Sequence, residues 1–185
     1  MLQRELLQDL TRRAVAVRER IAAAVRPLDG DRLMRRPPAG GWSAGEVLEH
    51  LCVSDAVYEA PLDRALRGSR PDAAAPLREF RPTWAGKFLA TSLASPRKLP
   101  SPKSMKPGPT PRGGVLEDFL ARARAFEALM EAATSQDWRA VKLASPALPA
   151  LPLMPKFNLG DVFIVQVVHM ERHAAQIERV IAATR

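Results

Sequence analysis

Four stretches of this chain carry apolar residues at every third or fourth position, and this spacing restricts the fold more than any other feature. Residues three or four apart lie on one face of an α-helix, so each stretch predicts an amphipathic helix with a buried side. The stretches run over residues 2–26, from Ser43 to Pro61 or Gly68, over 115–133 and over 159–183. None alternates apolar and polar residues as a half-buried strand does, so the sequence predicts an all-α fold.

The segments between these helices are rich in proline and glycine. Residues 27–41 have this composition, which excludes a further helix before Trp42. Residues 95–114 hold six prolines and three glycines and predict a long loop, either a plain connector or a flap over a site. Residues 79–94 show only a weak helical pattern. We therefore expect residues 1–185 to form a single domain, a four-helix bundle with long proline-rich connections.

Two of the predicted helices begin with capping signals. Ser43 and Glu46 have the spacing of a capping box, in which each side chain accepts a hydrogen bond from the backbone of the other residue. Asn158 is the expected cap of the last helix, with Asp161 three residues later. Apolar pairs flank both caps at the spacing of a hydrophobic staple, Trp42 with Val47 and Phe157 with Val162.

The positions of the three histidines suggest a metal site. His169 and His173 are four residues apart on the last helix, so their side chains lie on one face about 6 Å apart along the axis. His50, about two turns inside the second helix, can supply a third imidazole. A face of three nitrogens suits a divalent first-row metal and leaves positions open to water or substrate. The alternative is that each histidine is a hydrogen-bonded residue of the core.

The chain carries a formal charge of +8 and has an isoelectric point near 10.5. Few aromatic residues lie among the basic ones, which argues against a dedicated nucleic-acid-binding protein. A basic face that attracts an anionic small substrate fits this distribution better. The loop at 95–114 contributes Arg97, Lys98, Lys103, Lys106 and Arg112.

Other features predict a cytoplasmic protein without a membrane partner. The amino terminus has Arg4 and Glu5 early and lacks the apolar segment of a signal peptide, and no apolar stretch approaches the ~18 residues of a membrane-spanning helix. Cys52 is the single cysteine, so it cannot form an internal disulfide. We expect it to be a small buried apolar residue rather than a catalytic thiol.

Two segments closely resemble the two signatures of the DinB-like (damage-inducible) superfamily of metal-binding four-helix bundles. Residues 40–51, GGWSAGEVLEHL, are similar to its G-W-S-x-x-E-x-x-x-H-L pattern. Residues 159–180, LGDVFIVQVVHMERHAAQIERV, are similar to its H-x-x-x-H-x-x-Q-I pattern. Together with the helices between them, the resemblance covers nearly the whole chain. The matching residues are Gly41, Trp42, Ser43, Glu46, His50, Leu51, His169, His173, Gln176 and Ile177.

This resemblance implies a divalent metal, zinc or nickel in the first place and otherwise iron or manganese, bound by His50, His169 and His173. Glu46 and Gln176 are the candidate outer hydrogen-bond partners of the imidazoles. Characterised members are mostly thiol-dependent, among them bacillithiol transferases and the mycothiol-dependent maleylpyruvate isomerase. The resemblance therefore suggests a homodimeric S-transferase in which the metal activates a low-molecular-weight thiol toward a small-molecule substrate.

Two alternatives to an S-transferase remain open. A metal-dependent hydrolase would use the same three histidines to activate water, although no second carboxylate stands at a diagnostic spacing. A non-catalytic bundle that binds a metal or a small ligand would fit the same residues. A transferase consumes thiol, a hydrolase does not, and a binding protein turns over nothing.

Overall fold

The computed structural model describes residues 1–97, 99–108, 113–144 and 156–185. Within these ranges the chain forms a bundle of long helices with a few short elements beside it. No helix in them combines the length and the apolar character needed to cross a bilayer. The long helices are α1 (Gln3–Val25), α3 (Ala44–Arg67), α5 (Val115–Ala132) and α6 (Leu159–Ala183), and the short elements are α2 (Gly30–Met34), α4 (Trp84–Ala94), β1 (Lys142–Leu143) and β2 (Phe157–Asn158). This architecture confirms the predicted all-α four-helix bundle.

The long helices pack in a ring. α1 and α3 each contact both α5 and α6, so α1 and α3 stand at opposite corners of the bundle. α6 also packs against α4, which lies beside the bundle. Aromatic residues fill the core near the start of α6, where Trp138 packs edge to face against Phe163 with ring centroids 4.9 Å apart. β1 and β2 pair antiparallel just before α6.

Both predicted capping boxes are present, and they begin the two helices that carry the histidines. At the start of α3, Ser43 Oγ accepts from the Glu46 amide at 3.1 Å, and the Glu46 carboxylate accepts from the Ser43 amide at 2.8 Å. At the start of α6, Asn158 Oδ1 accepts from the Asp161 amide at 2.8 Å, and the Asp161 carboxylate accepts from the Asn158 amide at 2.9 Å. These contacts set where each helix begins and stabilise it by about 1 kcal/mol each.

The expectation that no helix begins before Trp42 is wrong, because α2 occupies Gly30–Met34. Asp29 caps this helix by accepting a hydrogen bond from the Arg32 amide at 2.8 Å. A helix of five residues is too short to show an apolar period, so the proline and glycine around it dominated the sequence pattern. The β1–β2 pair was not predicted for the same reason, since each strand has only two residues.

The structure defines two helix boundaries that the sequence pattern left open or misplaced. α3 continues through Pro61 and ends at Arg67, in agreement with the later of the two expected ends, and the amide of its cap Gly68 donates to the Arg64 carbonyl at 3.1 Å. α4 begins at Trp84 rather than near residue 79, because Thr83 Oγ1 caps it by accepting from the Gly86 amide at 3.0 Å. Capping therefore defines both boundaries more sharply than apolar spacing does.

The start of α4 is attached to the start of α6 through Asp161. The Thr83 amide donates to Asp161 Oδ1 at 3.0 Å, and Thr83 Oγ1 donates to Asp161 Oδ2 at 2.7 Å. The two helices approach so closely here that a Cβ atom on Gly86 would lie 2.2 Å from Asp161 Cγ. Glycine is required at this position because no side chain fits between α4 and the Asp161 carboxyl group.

Candidate metal centre

The three histidines meet between α3 and α6. His50 Nε2 lies 3.1 Å from His169 Nε2, and His173 Nε2 lies 3.0 Å from the same atom. The three rings stand edge to face, with interplanar angles of 80°, 72° and 88°. His50 and His173 are buried, and His169 is partly exposed. One residue of α3 and one turn of α6 thus bring three ring nitrogens to a common point.

Hydrogen bonds on the far side of two rings decide which nitrogen carries the proton. His50 Nδ1 lies 2.5 Å from the Met105 carbonyl oxygen, and His173 Nδ1 lies 2.9 Å from Gln176 Oε1. Because both oxygens accept, both Nδ1 atoms donate, and the Nε2 atom of each neutral ring carries a lone pair. His169 Nε2 can donate to only one of these lone pairs. At least one of the two nitrogen contacts therefore has no proton between its atoms.

At neutral pH the three rings do not become protonated, so no additional proton is available for the contact between two nitrogen lone pairs. Burial lowers the pKa of His50 below its ordinary value. Burial, with the charge of His50 second, lowers the pKa of His173 to about 3. Burial and the two neighbouring imidazoles hold the pKa of His169 well below its usual range, and the positive charge of Arg172 acts in the same direction. The centre is therefore a set of three neutral imidazoles.

Three neutral Nε2 atoms that face one another fit the ligand set of a divalent first-row metal. Nitrogen ligands at the usual distance from tetrahedral zinc lie about 3.3 Å from one another. The separations of 3.0 and 3.1 Å in this centre are close to that value. His50, His169 and His173 would hold the ion, and three ligands leave at least one position open.

The outer partners of the imidazoles correspond in part to those expected. Gln176 contacts His173, as the spacing of the second signature suggests. The expected contact from Glu46 to His50 is not formed, because the Glu46 carboxylate pairs with Arg36 at 2.8 Å and also accepts from the start of its own helix. The hydrogen bond from Arg36 lowers the pKa of Glu46, and the hydrogen bond from the Ser43 amide adds to the lowering, while burial of the carboxylate acts in the opposite direction.

The proline-rich loop supplies the partner that Glu46 does not. Met105 ends a single 3₁₀ turn, Lys103–Met105, and its carbonyl accepts from His50 while its side chain is buried. Met105 could not be predicted from the sequence, because every residue has a backbone carbonyl and no local pattern marks the one that tertiary packing brings to a histidine. Two of the basic residues assigned to this loop, Lys98 and Arg112, lie outside the described residues.

Arg172, on α6 next to His173, is a second residue near the centre that the sequence pattern does not mark. Its guanidinium donates hydrogen bonds to three backbone carbonyl oxygens at the end of α4 and the start of the loop, at 2.9, 2.5 and 2.6 Å. Each of the two helices that carry histidines is therefore in contact with the segment between α4 and α5. The accepting residues are Leu93, Ser95 and Arg97.

Cys52 and Trp42 are the remaining candidates near His50. Cys52 is buried, and burial raises the pKa of its thiol to about 12, so it is protonated at neutral pH. This agrees with the prediction of a small apolar residue. The Trp42 ring centroid lies 5.0 Å from that of His50, so the expected staple residue also forms a wall of the centre.

Asp55 is a charged residue of the α3–α6 contact that the sequence did not single out. It lies five residues after His50, and its carboxylate accepts from Gln166 Nε2 of α6 at 3.1 Å. Burial raises the pKa of Asp55 to about 7, against the opposing charge of Arg122, and the charge of Glu59 adds to the increase. The carboxyl group is therefore held in an environment that disfavours its ionised form.

We expect Asp55→Asn to raise the free energy of unfolding by about 1–2 kcal/mol at pH 8 and to change it little at pH 4. A carboxyl group whose pKa is raised on folding contributes stability below its unfolded pKa and loses it as the pH rises to about 7. Asparagine keeps the acceptor for Gln166 and removes the charge. Urea unfolding of both proteins at the two pH values measures the difference. A stability gain of equal size at both values would contradict the assignment.

Comparison with known proteins agrees with this fold. A sequence profile of the DinB superfamily matches residues 13–177, a range that includes all three histidines. The chain is similar in structure to YfiT from Bacillus subtilis, with a TM-score of 0.59 and 18% sequence identity; the match covers 94% of this chain and 85% of YfiT. YfiT is described as a probable metal-dependent hydrolase with an unusual four-helix bundle topology. No curated protein matches the chain. Since the profile spans most of the sequence, the chain belongs to the DinB superfamily.

Proposed function

We propose that this protein is a metal-dependent S-transferase that joins a low-molecular-weight thiol to a small electrophile. The observation that carries the proposal is the three-histidine centre, in which the described residues supply neutral ligands only. Such a centre with a divalent ion keeps a net positive charge and an open position, and a thiolate is an anion that suits both. Membership of the DinB superfamily and the likeness to YfiT support the metal requirement.

A divalent metal bound there would lower the pKa of a coordinated thiol, so that the nucleophilic thiolate is present at neutral pH. The residues of the chain orient the ligands. The Met105 carbonyl and Gln176 hold the Nδ1–H groups of His50 and His173 outward and their Nε2 atoms inward. In the transfer, the thiol proton leaves to solvent, sulfur forms a bond to the electrophilic carbon, and the leaving group departs with its bonding pair.

A metal-dependent hydrolase is the second candidate, because YfiT is described as a probable one. Hydrolysis needs a general base beside the attacking water. Two carboxylates near the histidines in sequence, Glu46 and Glu171, are paired with Arg36 and Arg13 respectively and are not free to act as this base. This pairing favours the transferase, which needs no such base.

The two candidates are separated by what the zinc-loaded protein consumes. We expect it to accelerate the reaction of 2-mercaptoethanol with monochlorobimane, measured by fluorescence, and to lose this activity when the metal is removed. The His50→Ala variant should hold less metal and be inactive in the same assay. If the thiol is consumed only at the uncatalysed rate, the transferase is contradicted. If the protein instead hydrolyses 4-nitrophenyl acetate, the hydrolase is supported. If the metal-loaded protein is inactive in both assays, it is a binding protein.

A further inference from the structure

One segment of the sequence, which includes the loop that contacts the metal centre, is strongly basic. Residues 80–116 contain seven lysines and arginines and no aspartate or glutamate, in a chain whose net charge is +8. Arg97, Lys103 and Lys106 of this segment are exposed, and none of them forms an ion pair with a described residue. These side chains are available to an anion from solution.

Residues 93–97 and 99–106, which we call the strap, include Arg97, Lys103 and Lys106 and contact both sides of the centre. At one end of the strap, Arg172 of α6 donates to the Arg97 carbonyl at 2.6 Å, one residue from His173 in sequence. At the other end, the Met105 carbonyl accepts from His50 of α3 at 2.5 Å. Arg97 thus lies at the first contact, and Lys106 directly follows the second. The strap is attached to both helices that supply the ligands.

Two acidic residues of α6 near His173 in sequence pair with α1 and not with the strap. Glu171 and Glu178 of α6 turn toward α1, where they pair with Arg13 at 2.8 Å and with Arg20 at 2.6 Å respectively. The residue that follows each of them in sequence is an arginine, and the charges of both of these arginines act on His173. Arg172, which contacts the strap, is therefore not offset by the acidic residue that precedes it.

We propose that the thiol co-substrate of this centre carries a second, negatively charged group, and that Arg97 and Lys106 of the strap bind that group. This inference rests on the proposed function, because it assumes that a thiol occupies the open position. A sulfonate, a carboxylate or a phosphate would meet the requirement equally, since the strap offers exposed point charges. Arg97 and Lys106 are thus the specificity residues of the site.

A cation a few ångströms from an anion at a partly exposed site changes affinity by roughly tenfold at low salt. We therefore titrate the zinc-loaded protein calorimetrically with 2-mercaptoethanesulfonate and with 2-mercaptoethanol, in which a hydroxyl replaces the sulfonate. Wild type should bind the sulfonate thiol about tenfold more tightly. In the double variant Arg97→Gln/Lys106→Gln the preference should fall to about two- or threefold. Lys87→Gln is the matched control, an exposed lysine of the same acid-free segment on α4, and should retain the full preference.

The outcomes separate this inference from the proposed function. Metal content is measured first, so that a variant with an altered centre is recognised. Equal affinity of wild type for both thiols would overturn the inference and leave the transferase intact, and a preference that survives in the double variant would overturn the assignment to Arg97 and Lys106. Failure of both thiols to bind would contradict the proposed function. Titration with ethanesulfonate, which lacks a thiol, then decides whether the anion site stands alone, because its binding should still depend on the two cations.

Discussion

Replacement of His169 by alanine should weaken zinc binding roughly a thousandfold and leave the protein folded. His169 Nε2 is the atom that lies within 3.1 Å of both other Nε2 atoms, so its removal separates the remaining two ligands. The apo protein should remain folded, because the ring is partly exposed and at least one of its two nitrogen contacts has no proton between its atoms. Competition with a chromophoric chelator measures zinc affinity, and far-ultraviolet circular dichroism checks the fold.

The loss of zinc affinity in His169→Ala is compared with that in two control variants. Gln176→Ala removes the acceptor at His173 Nδ1 but no ligand, and should cost only about 10–100-fold in zinc affinity. Cys52→Ala alters a buried residue of the same helix as His50 and should leave zinc affinity unchanged. If His169→Ala bound zinc as tightly as Cys52→Ala does, the three imidazoles would not be the ligand set.

Gly86→Ala should destabilise the fold by about 2–3 kcal/mol, because the added methyl group has no space. Its Cβ would lie 2.2 Å from Asp161 Cγ and 2.6 Å from Asp161 Cβ. Asp161 cannot withdraw without loss of its hydrogen bonds to Thr83 and to the Asn158 amide, which hold α4 and begin α6. We expect the midpoint of thermal unfolding to fall by about 4–12 °C.

Gly30→Ala is the matched control for this substitution. Gly30 also lies in the first turn of a helix, but a Cβ there would meet nothing within 4 Å. Alanine favours helix over glycine, so the control should be neutral or slightly stabilising. Equal midpoints for Gly86→Ala and Gly30→Ala would show that α4 is not held closely against Asp161.

The extent of the four long helices was predictable because local signals mark both their faces and their ends. The expected boundaries at 115–133 and 159–183 differ by at most one residue from Val115–Ala132 and Leu159–Ala183. A long amphipathic helix repeats its apolar signal over several turns, and capping residues act on backbone groups three positions away. Short elements such as α2 lack the repeat, and contacts such as Met105 with His50 span 55 positions.

By itself, the sequence determined the all-α class, the caps of α3 and α6, and the residue types able to bind a metal, because all of these depend on neighbours within about one helical turn. Only the tertiary structure decided that Glu46 pairs with Arg36, that the Met105 carbonyl holds His50, and that Arg172 attaches the basic loop to α6. These choices depend on which helices pack together. Side-chain partners across a bundle follow from that packing, which no local pattern specifies.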